Sequence, residues 1–433
     1  MKQIITLFLI AIGIFNTSAL ELSLKECRDM ALTTDENIKI AENNVVGSDI
    51  DRQIARTAYL PNFAGSGNLL YYTPDSKIGD MMTMQMRGAY MAGINLTQPI
   101  YTGGKITAAN KMARIGRQIS EEQLRATRMD VVADAEKSYW TYVAVLSKVD
   151  MMKSYLSMMD SIYDVTEFSV KTGMAPQQAL LRVDTKRSEI IYRLQQTKAG
   201  ADMCRMALCR IIGVADTVSI VPVEPVNSDF NLPGKEISID NRPETMMLSK
   251  SIDIKKHEVT MARADFLPTI GMQLGWMAYG NIKMKGWSQD QTGNYIPVSS
   301  SMNSNGFMGV LSLQVPIFHW GEGIKKVKRA KIEVENARLS LERNKRLMQL
   351  EANQNYNNLV TGVALVKSAE TALHEADENL RIMQEQYEVG LCTLTDLLEA
   401  QSQWHSSYSN LIEARTQYRI YHVDYLRSIG ELE

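Results

Sequence analysis

Two carboxylates three residues apart, Asp396 and Glu399, stand out among the side chains that could do chemistry. Such a spacing puts both on one helix face, where they could share a proton, hold a cation or simply solvate a surface. It is too common a geometry to argue for catalysis. The other reactive types are no better organised. The five histidines are scattered, His374-Glu375 lacks the second histidine of a zinc-binding helix, and Gly103-Gly104-Lys105 lacks the spacing of a phosphate loop. Cys204 and Cys209 lie five apart in a helical pattern, roughly 8 to 9 Å between Cα atoms and beyond an unstrained disulfide. All four cysteines read as free thiols, and the 26 methionines as apolar filler. No enzyme, cofactor or metal site is expected.

The elements that must carry these residues occur twice. A shift of 217 residues places Pro99-Ile100-Tyr101 on Pro316-Ile317-Phe318, Tyr139 on Tyr356 and Gly173 on Gly390. A shift of 207 places Leu60-Pro61 on Leu267-Pro268, so the length difference falls between Pro61 and Pro99, where a loop is expected to absorb it. Repeats this long exceed solenoid units and indicate duplication of a whole structural half. The halves are read as 20–214 and 241–433, with hairpins near 61–100 and 268–317, joined by a proline-bearing linker over 215–240 with one short strand near Val218–Val223. Residues 1–19 read as a secretory signal: Lys2, an apolar run from Ile4 to Phe15, then Thr17-Ser18-Ala19. Cys27 lacks the small apolar residues that precede a lipidated cysteine.

Prolines and glycines mark out long helices. None of the prolines lies between Pro99 and Pro176 or after Pro316. Both stretches carry 3–4 apolar spacing for 67 residues, about 100 Å of helix. Each ends at a glycine turn, Gly173-Met174-Ala175-Pro176 or Gly390-Leu391-Cys392-Thr393, with Pro176 suited to the first turn of the next helix. Return helices are expected over Ala175–Ile212 and Thr393–Gly430, and shorter ones over Glu36–Ala58 and Pro243–Asp265. A short helix and a return helix end to end nearly match the long one, so each half supplies two coiled-coil-like tracks.

Two strands lie between short and long helix in each half. One face is apolar (Tyr90, Ile94, Leu96; Phe307, Leu311, Leu313), the other small and polar (Asn95, Thr97; Ser312, Gln314). A soluble sandwich alternates in this way too, but polar inner faces on short strands also suit a pore, with the outer face in lipid. Four strands cannot close a barrel when eight is the usual minimum, and open edges are forbidden in lipid. Chains must then pool strands. With 47 basic against 49 acidic residues, nothing points to nucleic acid.

With its Leu-Pro strand entries at Pro61 and Pro268, the Gln98–Gly104 exit and its copy Val315–Gly321, the helix start at Asn241-Arg242-Pro243-Glu244, and the run from Gly390 to Gln401, the chain resembles the TolC-like outer-membrane efflux family. The resemblance implies a mainly α fold with a membrane β-barrel: a homotrimeric α-barrel topped by 12 strands, four per chain. It implies a place in the outer membrane of a Gram-negative-type envelope, reaching into the periplasm and contacting outer-membrane lipid. Its partners would be a periplasmic adaptor and an inner-membrane efflux pump or ABC exporter, passing small molecules or secreted proteins. Asp396 and Glu399 match the acidic ring positions of the family's periplasmic aperture, with solvation of a helix surface as the alternative. Gly173, Pro176, Gly390, Tyr387 and Cys392 would form the tip turns and adaptor contact. The family's closing lock joins a tyrosine to an arginine and an aspartate; Tyr387 matches, but Cys392 and Ala179 occupy the other two places. A structural coiled-coil envelope protein or adhesin would account for the helices and leave the duplicated strands unexplained.

Overall fold

The computed structural model describes residues 20–79, 82–225, 230, 232–234 and 237–432; the expected signal at 1–19 and part of the linker lie outside them. In chain order the elements are β1 (Leu20–Leu22), α1 (Leu24–Thr34), α2 (Glu36–Thr57), β2 (Asn62–Tyr71), β3 (Ser76–Ile78), β4 (Met82–Gln85) and β5 (Arg87–Thr102). There follow α3 (Lys105–Lys171), α4 (Gln177–Ile212), β6 (Ile220–Pro222), α5 (Pro243–Ala264), β7 (Thr269–Gln289), β8 (Tyr295–Gln314), α6 (Glu322–Glu388) and α7 (Leu394–Ile429). Each expected helix is present within two residues of its expected ends. The long ones have 67 residues, the return helices 36 and the short ones 22.

The described residues divide into two compact units, each drawing on both repeats: those within 20–43, 121–247 and 341–432 in one, and those within 44–120 and 248–340 in the other. The first is helical. On α3 the stripe Met152, Tyr155, Met159, Ile162 is spaced at 3 and 4, which turns it to one side. It buries against Val183, Ile190 and Leu194 of α4, Leu380 of α6, and Leu397 and Trp404 of α7. Full burial of such a side chain contributes about 1.5–3 kcal/mol.

The same unit holds a seam the sequence did not announce. Leu20 to Leu22 pairs in parallel with Ile220 to Pro222, so the linker strand is shorter than Val218–Val223 and is bound to the start of the described chain. The Glu224 carboxylate accepts from the Leu24 amide at 3.0 Å and from the Tyr139 hydroxyl, which lies 3.2 Å from the Leu22 carbonyl. Burial, then Glu224, pushes the phenol of Tyr139 above its ordinary range. Helix α1, also unanticipated, starts on a capping box of Ser23 and Glu26.

The second unit is an antiparallel sheet with the adjoining helix ends. Strand β5 pairs with β2 on one side and β7 on the other, and β7 pairs with β8. The register assembles the expected faces into rows: Phe63, Leu96 and Leu274 in one, Ile94, Trp276 and Phe307 in another. The opposite face carries Asn62, Thr97 and Gln273 in one row, but also Met91, Met277 and Met308. Two expectations fail here. The extra residues of the second hairpin do not fall in a loop: β7 and β8 run 21 and 20 residues, against 10 for β2 and 16 for β5. A hairpin absorbs added residues cheaply when each adds a rung to the ladder. The first connection, in turn, forms β3 and β4, and β4 pairs with Lys283 to Gly286 on the extension of β7.

Replacing Tyr139 with Phe removes the hydroxyl that holds Glu224 at the seam. The expected loss is about 1–2 kcal/mol, seen as a lower midpoint for thermal loss of the helical circular-dichroism signal; an unchanged midpoint would mean that the seam does not depend on this bond.

Candidate functional site

The two glycine turns expected at the tips are alike in backbone. Gly173 and Gly390 have φ of 77° and 75°, in the left-handed region that a side chain rarely enters. The Gly173 amide donates to the Val170 carbonyl and that of Met174 to Ser169; Gly390 and Leu391 donate to Tyr387 and Gln386 in the same way. Each turn therefore closes the helix end by the paired 5→2 and 6→1 bonds that satisfy its last carbonyls. Pro176 is the N-cap of α4, one position before the first turn expected for it, with ψ of 149°. Its carbonyl accepts from the Ala179 amide at 2.9 Å.

Asp396 and Glu399 both lie exposed near the start of α7. Asp396 is tied down: its carboxylate accepts from the Thr393 hydroxyl at 2.6 Å and the Thr393 amide at 3.0 Å, and the Asp396 amide donates back to Thr393 Oγ1. This reciprocal capping box satisfies two helix-end donors and sets the first turn of α7. Those two bonds to Thr393 hold the carboxyl below its ordinary range. It stays charged somewhat below the pH at which a free aspartate protonates. The Glu399 side chain, one turn on, makes no hydrogen bond or ion pair among the described residues.

Tyr387, three residues before the second tip glycine, is 3.2 Å from Thr166 Oγ1 on α3. Thr166 is fully buried. It extends the stripe Tyr155, Met159, Ile162 by one turn, a polar residue in an apolar row, and that break was the available signal for a residue that was overlooked. The contact links the two repeats at the end where both tip turns lie. Cys392, in place of the family's arginine, donates its thiol to the Met383 carbonyl at 3.4 Å. Burial, then the nearby Asp396 charge, raises its pKa, which disfavours the thiolate. Ala179 contributes no polar side chain. Tyr387, Cys392, Asp396 and the Gly390 turn are thus neighbours, while Gly173 and Pro176 form the corresponding turn of the first repeat.

Among the described residues no group of His, Cys, Asp or Glu could hold a metal ion, and no helix is long and apolar enough to cross a membrane. The four cysteines are free.

Comparison with known proteins agrees with this architecture. The family described as outer membrane efflux protein matches residues 28–199 and 236–430. The alkaline protease secretion protein AprF of Pseudomonas aeruginosa is 20% identical, over 96% of this chain and 86% of its own length. Outer membrane protein OprJ of the same organism is 23% identical, over 94% and 84%. Among solved structures the channel-forming CusC superposes with a TM-score of 0.79 at 15% identity, covering 95% of this chain and 93% of the other, a likeness of fold. On the length of the match and the fold together, the chain belongs to the outer membrane efflux protein family, whose members are outer-membrane channels and not enzymes.

Proposed function

We propose that three copies of the chain pool their sheets into one closed barrel in the outer membrane, continued by a helical tunnel into the periplasm. The observation that carries this is the state of the sheet edges. Strands β2 and β8 each lack a partner on one side among the described residues, and every residue of both is exposed. Unpaired backbone groups in hydrocarbon cost several kcal/mol each. Pairing β2 of one copy with β8 of the next satisfies both rows at once. The apolar face, with Phe63 67% and Phe307 90% exposed, then meets lipid.

A periplasmic adaptor grips the tip turns at Gly173, Pro176, Gly390 and Cys392, and an inner-membrane efflux pump or ABC exporter delivers cargo to the mouth. Small toxic molecules and secreted proteins both fit a tunnel with such walls, and the protease-secretion relative supports the second class. Asp396 and Glu399 of three copies form two acidic rings at the aperture, which attract cations and repel anions. The contact of Tyr387 with Thr166 takes the place of the family's arginine–aspartate lock.

Mass in mild detergent and conductance in a planar bilayer test the assembly together. A trimer with a small, steady conductance is expected, and a non-conducting monomer would refute it. The rings are tested with Asp396→Asn and Glu399→Gln, because asparagine retains an acceptor oxygen for the cap while removing the charge. Block by a multivalent cation should need about tenfold more cation in the double variant, and unchanged block would remove both residues from the aperture. In the parent protein the contribution of Asp396 to the block should persist somewhat below the pH at which a free aspartate protonates, because its bonds to Thr393 depress its pKa. Tyr387→Phe should raise conductance by freeing the two repeats at the tip; equal conductance would mean closure rests elsewhere.

A further inference from the structure

Duplication presents the same positions twice, and at the junction of strand and long helix the two copies differ. In the first repeat the Tyr59 hydroxyl donates to Thr107 Oγ1 at 3.2 Å, and Asn110 donates its side-chain amide to the Ala55 carbonyl at 2.7 Å. Polar bonds thus close the end of α2 onto the start of α3. Their counterparts in the second repeat are Phe266, Ile324 and Val327, which can form neither bond. These three line an open groove of about 590 Å³ together with Ile317, Phe318, Lys328 and Lys331. In the single chain its walls are strongly exposed: Ile317 92%, Ile324 79%. Its floor is fixed, because the Phe266 ring lies over Gly323 so closely that a Cβ there would come within 1.7 Å of a ring carbon.

Charge selects the occupant. From Glu322 to Lys331 the helix carries Lys325, Lys326, Lys328, Arg329 and Lys331 against a single acid, Glu322, which is paired with Lys326 at 2.8 Å. Lys328 and Lys331, at the far end of the groove, make no ion pair among the described residues. Ile324 and Lys331 are seven residues apart on one face, about 10 Å along the axis, which matches the depth of the boundary between acyl chains and headgroups. Beside the groove Phe318 and Trp320 stack edge to face at 5.0 Å, with Trp320 projecting into open space, the amphipathic ring type that gathers at membrane interfaces. One molecule supplies both an apolar body for the floor and an anion for the lysines.

We infer that this groove, where β8 gives way to α6, binds an acidic phospholipid of the periplasmic leaflet, with acyl chains along Phe266, Ile324 and Val327 and the phosphate at Lys328 and Lys331. The inference rests on the outer-membrane barrel proposed above. Acidic lipid then fills in the second repeat the space that hydrogen bonds close in the first.

Native mass spectrometry of the detergent-purified full chain, titrated with phosphatidylglycerol or phosphatidylcholine, provides the test. The parent should retain phosphatidylglycerol about tenfold better. The K328Q/K331Q variant should lose that preference while keeping its oligomeric mass and conductance. The I324T/V327N variant, which installs the residues of the first repeat, should weaken binding of both lipids. Equal retention of the two lipids by the parent, or undiminished preference in K328Q/K331Q, would overturn the site. So would a photo-crosslinker at Val327 that captures a neighbouring copy instead of phosphatidylglycerol, since the groove would then be a protein interface. Loss of oligomer and conductance in the parent itself would count against the proposed channel, a separately read failure.

Discussion

A peptide group in hydrocarbon must have its hydrogen bonds made by protein, and this chain ends its sheet on two rows that are not. The proposed barrel answers that constraint. In the proposed barrel the alternation of the strands turns one face toward lipid and the other toward water. They are joined across the repeats by β5 and β7, so that the two hairpins form one sheet whose long strands β2 and β8, like the short β3, each have an unpaired side among the described residues. A single chain is then a stave of the proposed barrel. Extra length in β7 and β8 is tolerated because it adds rungs between those strands, and β4 covers part of the remaining side of β7.

Duplication supplies near-symmetry, and the proposed functions use the departures from it. Corresponding turns at Gly173 and Gly390 share backbone geometry, yet only the second is followed by a capping box with a carboxylate, since Pro176 offers no side-chain acceptor where Thr393 does. Corresponding junctions at α3 and α6 share their basic residues, Lys111 and Arg114 against Lys328 and Lys331, yet one is polar and closed and the other apolar and open. A copy free of one structural duty can take another surface chemistry while the backbone stays as it was.

The helices were legible in the sequence because their ends are set locally, by a glycine that can enter the left-handed region and a proline that cannot continue a helix. The strand faces were legible for the same kind of reason, a period of two. Strand lengths were not. The extra residues of the second hairpin were expected in a loop, yet Ser299, Ser300 and Ser301 pair with Lys285, Met284 and Lys283, because a ladder needs backbone partners rather than apolar side chains. The seam of β1 and β6 escaped because three-residue strands have no period and their pairing spans some 200 residues. The bond between Tyr387 and Thr166 escaped likewise, since reach across helices is set by packing and not by spacing along one of them.

Asp396 shows how a residue read as a charge can also be a structural part. Its capping role depends on acceptor oxygens that satisfy Thr393 locally, within one turn of helix. Its proposed role at the aperture depends on net charge, which acts over a Debye length of about 8 Å at physiological salt. The two roles support one another. The bonds that form the cap also depress the pKa, keeping the carboxylate ionised over a wider pH range than a free aspartate. They also fix where that charge sits relative to the tip turn. Glu399, with no such tether, carries a charge whose position is set only by its own rotamers, so the two carboxylates differ in rigidity although they carry the same formal charge.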